Sequence, residues 1–155
     1  MKIGVLCSGD LGFKILSKFY EKSKISFVFT DSKSDTIIDF CHNKQLKLFI
    51  GNPRNGKCND FIKNNNCDVL FSINYLFIID KPLIDLPKKY AINLHGSLLP
   101  KYRGRTPHVW AIINNEKKTG ITAHIIDEKC DNGDIIEQIE IEINNEDTGA
   151  IILEK

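Results

Sequence analysis

The sequence predicts an α/β fold: a mainly parallel sheet covered by helices on both faces, with an antiparallel edge near the C-terminus. Two observations lead there. Short apolar, β-branched runs alternate with amphipathic segments along most of the chain, the pattern of successive βαβ units. The last two strand-like runs, 119–127 and 134–141, have only a short turn around Asp131-Asn132-Gly133 between them, which permits antiparallel pairing and no crossover.

Each element has its own signal. KIGVLC is an apolar run stopped by Ser8-Gly9-Asp10, a turn and helix start. Residues 11–22 then place Leu11, Ile15, Leu16 and Phe19 on one helical face. ISFVFT (25–30) is a β-branched and aromatic strand, followed by a helix over 34–43 and a strand LKLFI (46–50) that ends at Gly51-Asn52-Pro53. A helix over 59–65, a buried-type strand CDVLFSI (67–73) and the strand AINLH (91–95) follow. Thr106-Pro107 opens a helix reaching Asn114, with a cap and a first-turn proline. Residues 119–127 alternate as a half-buried strand does, and 134–141 do likewise. Asp147-Thr148-Gly149 starts a last helix, AIILEK, too short to stand alone in water. It either docks onto the sheet or belongs to a longer natural chain.

At 155 residues the chain has the length of one domain. Lys+Arg is 21 against Asp+Glu 20, so there is no broad positive field for nucleic acid or a membrane surface. Any anion binding must be local. The five cysteines are scattered, odd in number and without a C-x-x-C pair, which reads as small buried hydrophobes in a reducing compartment. Met1-Lys2 leads straight into a strand, and no apolar run approaches a membrane span. The expected location is the cytoplasm, with neither a nucleic-acid nor a membrane partner.

The first loop imitates a dinucleotide fingerprint, with Gly9-x-x-Gly12 after a strand and Asp31 closing the next. Cys7 stands where the first glycine would be, so nicotinamide or flavin binding is disfavoured. Ser8 and Gly9 either hold a phosphate at the helix start or are ordinary turn residues.

NLHGSLLPKYRGRTPHVW (93–110) is richer. Asn93 and His95 are two apart at the end of a strand, so they point the same way, and parallel sheets bind ligands at that end. An amide donor and an imidazole converging on one spot suit acyl transfer, through oxyanion stabilisation and proton handling. Gly96 lets a ligand approach closely. Asp131 supplies a carboxylate to orient or charge the histidine, or simply forms the turn. Asp134 is the rival carboxylate and reads as a solvated strand start. His95, His108, His124 and Asp131 lack metal-ligand spacing, so no metal is expected. Ser97 is outside a G-x-S-x-G elbow, and nothing local activates Cys130. Lys101, Tyr102, Arg103 and Arg105 form the one local basic cluster, placed to hold a phosphorylated substrate. Trp110 either packs in the core or stacks on a base.

NLHGSLLPKYRG (93–104), TGIT (119–122) and DNGDII (131–136) together resemble the folate-dependent formyltransferases. That superfamily includes methionyl-tRNA, glycinamide ribonucleotide and sugar N-formyltransferases. The resemblance implies a Rossmann-like fold and transfer of a formyl group from 10-formyltetrahydrofolate to an amine. It assigns catalysis to Asn93, His95 and Asp131. Asn93 and His95 would stabilise the oxyanion, while His95 with Asp131, through water, would manage the amine proton. It assigns the folate to Ser72, Asn74, Tyr75, Leu76 and Phe77 after the fourth strand, and to the strip Ser97, Leu98, Leu99 and Pro100. The longer match YRGRTPHVWAIIN (102–114), with FSINY (71–75), looks most like enzymes acting on nucleotide-linked amino sugars, dTDP-linked first and UDP-linked second. Ser8, Gly9, Lys101, Tyr102, Arg103, Arg105 and Trp110 would then hold that acceptor. Methionyl-tRNA or glycinamide ribonucleotide as acceptor, or an inactive folate- or nucleotide-binding domain, are the alternatives. The chain reads as a single catalytic domain over 1–155 that lacks the C-terminal segment of sugar formyltransferases, which leaves homodimerisation in doubt.

Overall fold

A strand that is apolar on both faces has to be covered on both, and β1 (Lys2–Cys7) shows the outcome: every residue from Ile3 to Cys7 is buried. The computed structural model describes all 155 residues, which divide into two units, Met1–Ile92 and Asn93–Lys155. The first unit continues through α1 (Gly9–Lys22), β2 (Lys24–Thr30), α2 (Asp35–Asn43), β3 (Leu48–Ile50), α3 (Asn59–Lys63), β4 (Val69–Ile73) and α4 (Lys81–Ile84). Strand β5 (Tyr90–His95) runs through the boundary. The second unit holds α5 (Pro107–Ile113), β6 (Lys118–Ile125), β7 (Ile135–Glu142) and α6 (Gly149–Glu154).

In the first unit the strands lie side by side as β3-β2-β1-β4, all parallel. Side-chain alternation decides what covers each face. Phe27 and Phe29 share one face, where Phe61 of α3 meets their rings edge-on at 5.9 and 5.1 Å and Phe49 of β3 stacks on Phe29 at 4.8 Å. Phe71 of β4 is level with Val5, and Val5 with Val28, so Phe71 lies on the opposite face. There it meets Phe19 of α1 at 5.0 Å. Helices therefore cover both faces, as predicted. Each large side chain fully buried in this way contributes about 1.5–3 kcal/mol. Helix α2 docks on α1 through Phe40, whose ring lies 5.6 Å from Phe13 and 5.4 Å from Tyr20.

In the second unit β6 and β7 are antiparallel from Lys118↔Glu142 to Ala123↔Glu137, and a bulge then brings His124 opposite Ile135. Helix α5 packs on β6, and α6 on α5. The short last helix packs on α5 rather than on the sheet: Ile152 is buried, and Thr148 Oγ1 accepts a hydrogen bond from Ile151 N–H. No helix is long and apolar enough to cross a membrane.

Several boundaries differ from the pattern. β3 shrinks to three residues and α3 stops at Lys63. β6 ends at Ile125, two residues early, where Ile125 N–H pairs with the Asp134 carbonyl across the turn. Helix α4 has no counterpart in the reading, although Asp80 at its N-cap and Pro82 in its first turn are legible start signals. Four cysteines are buried as expected; Cys130 is exposed, because it sits in the turn before β7.

Gly4 marks the tightest point of the first unit. A Cβ there would fall 2.5 Å from the Phe27 ring and 2.9 Å from Leu70. Gly4→Ala should therefore destabilise the protein by about 1–3 kcal/mol, the cost of overpacking. A urea denaturation midpoint no lower than wild type would contradict this close packing.

Candidate active site

Strand β5 delivers Asn93 and His95 on the same side, with His95 buried at 6% exposure at the strand's last position. The sharp turn before β7 delivers Asp131, whose backbone is in the left-handed region at φ +47°. That turn is tight because Gly133 has no side chain: a Cβ would lie 2.0 Å from the Ile125 carbonyl oxygen.

The three residues converge on the Asp131 carboxylate. Asn93 Nδ2 donates to Oδ1 at 3.1 Å, and the Gly104 backbone N–H donates to Oδ2 at 2.8 Å. His95 Nδ1 faces Oδ2 at 3.5 Å. A further residue joins them: His124 Nε2 faces Oδ1 at 3.5 Å and lies 3.2 Å from Asn93 Nδ2. Burial opposes the charge on Asp131, but hydrogen bonds from His124 and the Gly104 N–H and the nearby His95 outweigh it. The carboxyl is held far below its ordinary range.

Hydrogen-bond partners settle the ring tautomers. The Tyr102 carbonyl lies 2.8 Å from His95 Nε2, and a carbonyl only accepts, so Nε2 carries a proton. Nδ1, towards Asp131, is then the nitrogen able to gain and lose one. His124 Nδ1 donates to the Ile125 carbonyl at 2.8 Å, leaving Nε2 free to accept from Asn93 or, once protonated, to donate to Asp131. Burial works against the His124 imidazolium, yet the bonds to Asp131 and Ile125 and the Asp131 charge outweigh it and raise its pKa. Both N–H groups of the Asn93 amide are engaged, one by Asp131 and one by His124. Stabilising an oxyanion requires one of them to be released.

His124 was read from sequence only as a metal ligand to be discarded. Its signal was present in β6: Gly120, Thr122 and His124 are buried while Ile121 is exposed. A polar phase turned inward on an alternating strand marks a built polar site. His95 and His124 both face Asp131 at 3.5 Å, and no group of such residues is arranged to hold a metal ion.

The other assigned residues fall into place one by one. Ser97 is buried with its hydroxyl on the Lys101 carbonyl at 2.6 Å, and Leu99 is buried too. Contrary to the expected ligand-facing strip, these two side chains serve the turn. Thr122 and Gln138 tie that turn down: Thr122 Oγ1 donates to the Ser97 carbonyl and accepts from Leu99 N–H, while Gln138 Nε2 donates to the Leu99 carbonyl. The Leu99–Pro100 peptide bond is cis. Lys101 and Tyr102 both bond Glu116 Oε1, at 2.9 and 2.8 Å. Arg103, Arg105 and Trp110 are exposed, so Trp110 is not a core residue.

In the first unit, Asn74 is at φ +52° and its Nδ2 donates to the Ser8 carbonyl at 3.0 Å. Tyr75 OH donates to the Gly51 carbonyl and its ring meets Phe77 at 5.5 Å, while Ser72 is half-buried and Leu76 exposed. Ser8 is the N-cap of α1 and is buried, its hydroxyl beside the Asp31 carboxylate. Asp31, the acid of the dinucleotide-like pattern, is buried and committed to Ser34 Oγ and Lys33 N–H at 2.6 and 2.8 Å. Asp134 is exposed, its carbonyl paired with Ile125 N–H.

An amide, an imidazole and a carboxylate gathered at a strand end suit acyl-group transfer. Residues 19–155 match the family model described as formyl transferase, and the chain belongs to that family. It is 37% identical over 158 residues to the bifunctional polymyxin resistance protein ArnA of Wigglesworthia glossinidia brevipalpis, covering 99% of this chain and 23% of that protein. It is 45% identical over 114 residues to the methionyl-tRNA formyltransferase of Thermodesulfovibrio yellowstonii, covering 72% of this chain and 37% of the other. The crystal structure of a 4-N formyltransferase from Francisella tularensis superposes with a TM-score of 0.77 at 30% identity, covering 99% of this chain and 62% of that one. The chain spans less than half the length of the two curated relatives.

The linked charges set a pH dependence. The lowered Asp131 pKa stabilises the fold above the ordinary carboxyl value and is lost as pH falls through the folded one. The raised His124 pKa adds stability below about 6.5 that is lost as pH rises through its folded value. Asp131→Asn should therefore return the His124 titration midpoint, followed by NMR of its ring protons, towards or below the ordinary imidazole value. It should also cost roughly 1–3 kcal/mol of stability. A midpoint unchanged by the substitution would rule out this coupling.

Proposed function

We propose that the chain catalyses N-formyl transfer from 10-formyltetrahydrofolate to the amine of a nucleotide-linked amino sugar, dTDP-linked first and UDP-linked second. The observation that carries this reading is the Asn93–His95–Asp131 cluster within a formyl transferase chain. The acceptor nitrogen attacks the formyl carbon, and the bond from that carbon to N10 of the folate breaks. The amine proton passes to His95 Nδ1, whose positive charge Asp131 stabilises, and is returned to N10 as it leaves. Asn93 turns an N–H from His124 towards the oxyanion. Ser72 and the irregular stretch Asn74–Phe77, with Leu76 exposed, are the folate-binding residues in this reading.

The acceptor assignment rests on chemistry as well as kinship. The charge is nearly balanced overall, at +1, which suits a small anionic acceptor better than tRNA. Arg103 and Arg105 are exposed cations free to meet a diphosphate, and Trp110, exposed on α5, offers a base a stacking surface. The start of a 14-residue helix at Ser8 and Gly9 suits a phosphate oxygen. A second reading, methionyl-tRNA as acceptor, is favoured by the 45% identity to the enzyme of that name.

His95→Ala and Asn93→Ala should each abolish or slow formyl transfer, the latter by about 10²–10³-fold in kcat as for loss of one oxyanion donor, with an unchanged circular dichroism spectrum. Turnover near wild type in either variant would remove the mechanism. A panel of dTDP- and UDP-amino sugars, glycinamide ribonucleotide and methionyl-tRNA decides the acceptor. Transfer to methionyl-tRNA alone would refute the sugar assignment.

A further inference from the structure

The second unit contains a cavity of about 530 Å³, walled by Leu98, Pro100, Tyr102, Glu116, Lys117 and Thr119. Its volume lies within the ~300–1,000 Å³ of small-molecule sites, and the mechanism makes no use of it. Three features say what it would take. Leu98 and Pro100 give it an apolar wall. Glu116 in that wall is already neutralised, since both the Lys101 ammonium and the Tyr102 hydroxyl bond its Oε1, and Lys118, also in the wall, is paired with Glu140. Lys117 is exposed and forms no ion pair, so its charge is available. Thr119 is the built element: it is only 3% exposed, and its hydroxyl has no hydrogen-bond partner. A buried hydroxyl left unmatched costs free energy that a ligand's polar atom would recover.

We propose that this cavity is a second small-molecule site, separate from the formyl-transfer centre, for a flat organic anion. The apolar body lies on Leu98 and Pro100, the anionic group meets Lys117, and a polar atom pairs with Thr119 Oγ1. Tyr102 joins the two places: its hydroxyl holds Glu116 in the cavity wall, while its carbonyl accepts from His95 Nε2. Occupancy of the cavity is therefore sensed at the catalytic imidazole.

Phenyl phosphate is a suitable probe, titrated into the isotopically labelled chain, with inorganic phosphate and phenol as the two partial probes. Saturable shifts of the Lys117, Thr119 and Tyr102 amides are expected, with the His95 ring protons moving on the same curve. Lys117→Glu should weaken binding about tenfold, the effect of reversing one partly exposed charge. Thr119→Val, of equal shape, should weaken it several-fold. Lys117→Glu should keep the wild-type urea midpoint, Lys117 being exposed, and Thr119→Val should not lower it, valine being isosteric and leaving no unmatched hydroxyl. No saturation, affinity unaltered by both substitutions, or phosphate alone or phenol alone binding as tightly as phenyl phosphate would each overturn the proposal. Because no formyl donor or acceptor is present, the outcome is independent of the formyl-transfer reading.

Discussion

The Asp131 carboxylate is the constraint on which the site depends. It accepts hydrogen bonds from Asn93 and the Gly104 backbone and faces both His95 and His124. A carboxylate so enclosed stays charged only because each oxygen has a donor, and each donor is oriented in return. The backbone N–H of Gly104 thereby anchors the basic loop to the same point. Tyr102 and Gly104 reach their places through left-handed backbone, at φ +56° and +94°, which brings the Tyr102 carbonyl to His95. The turn at Gly133, with no room for a side chain, sets where the carboxylate sits.

A second polar network steadies the segment that leaves His95. Thr122 and Gln138, neighbours across β6 and β7, hold the backbone of Ser97 and Leu99 by three short bonds. The residues bearing chemistry, His124 and Asp131, and those bearing structure, Thr122 and Gln138, thus occupy the same strand pair and its turn. Substitutions on this inward phase of β6 act on catalysis and stability together, whereas the outward Ile121 and Ile139 are exposed and opposite one another.

Much of the fold was legible because its signals are local. The parallel strands are short apolar runs, and the β6–β7 pair announces itself by alternation and a D-N-G turn. Helix α4 went unread because four residues hold too little periodicity, although its proline and Asp80 mark a start. Asn93, His95 and Asp131 stood out through spacing and resemblance. His124 did not: the polar phase of β6 flags it, but the carboxylate it faces lies beyond the end of that strand. Ser97 and Leu99 were misread for a related reason: a motif identifies residues but does not say which of them turn inward.

By itself the sequence determined the α/β pattern, the catalytic candidates and the formyl transferase kinship, because periodicity and motif spacing are properties of neighbouring residues. The tertiary structure alone decided which groups share a proton. A sequence separation of 38 between Asn93 and Asp131 closes to a 3.1 Å hydrogen bond, and the bulge in β7 sets His124, which faces the same carboxylate, opposite Ile135. The commitment of Lys101 and Tyr102 to Glu116 beside an open cavity was likewise invisible in a basic run read along the chain. Contacts between residues distant in sequence follow from how the strands and loops are held together, and hydrogen-bond geometry, tautomer and pKa are set there.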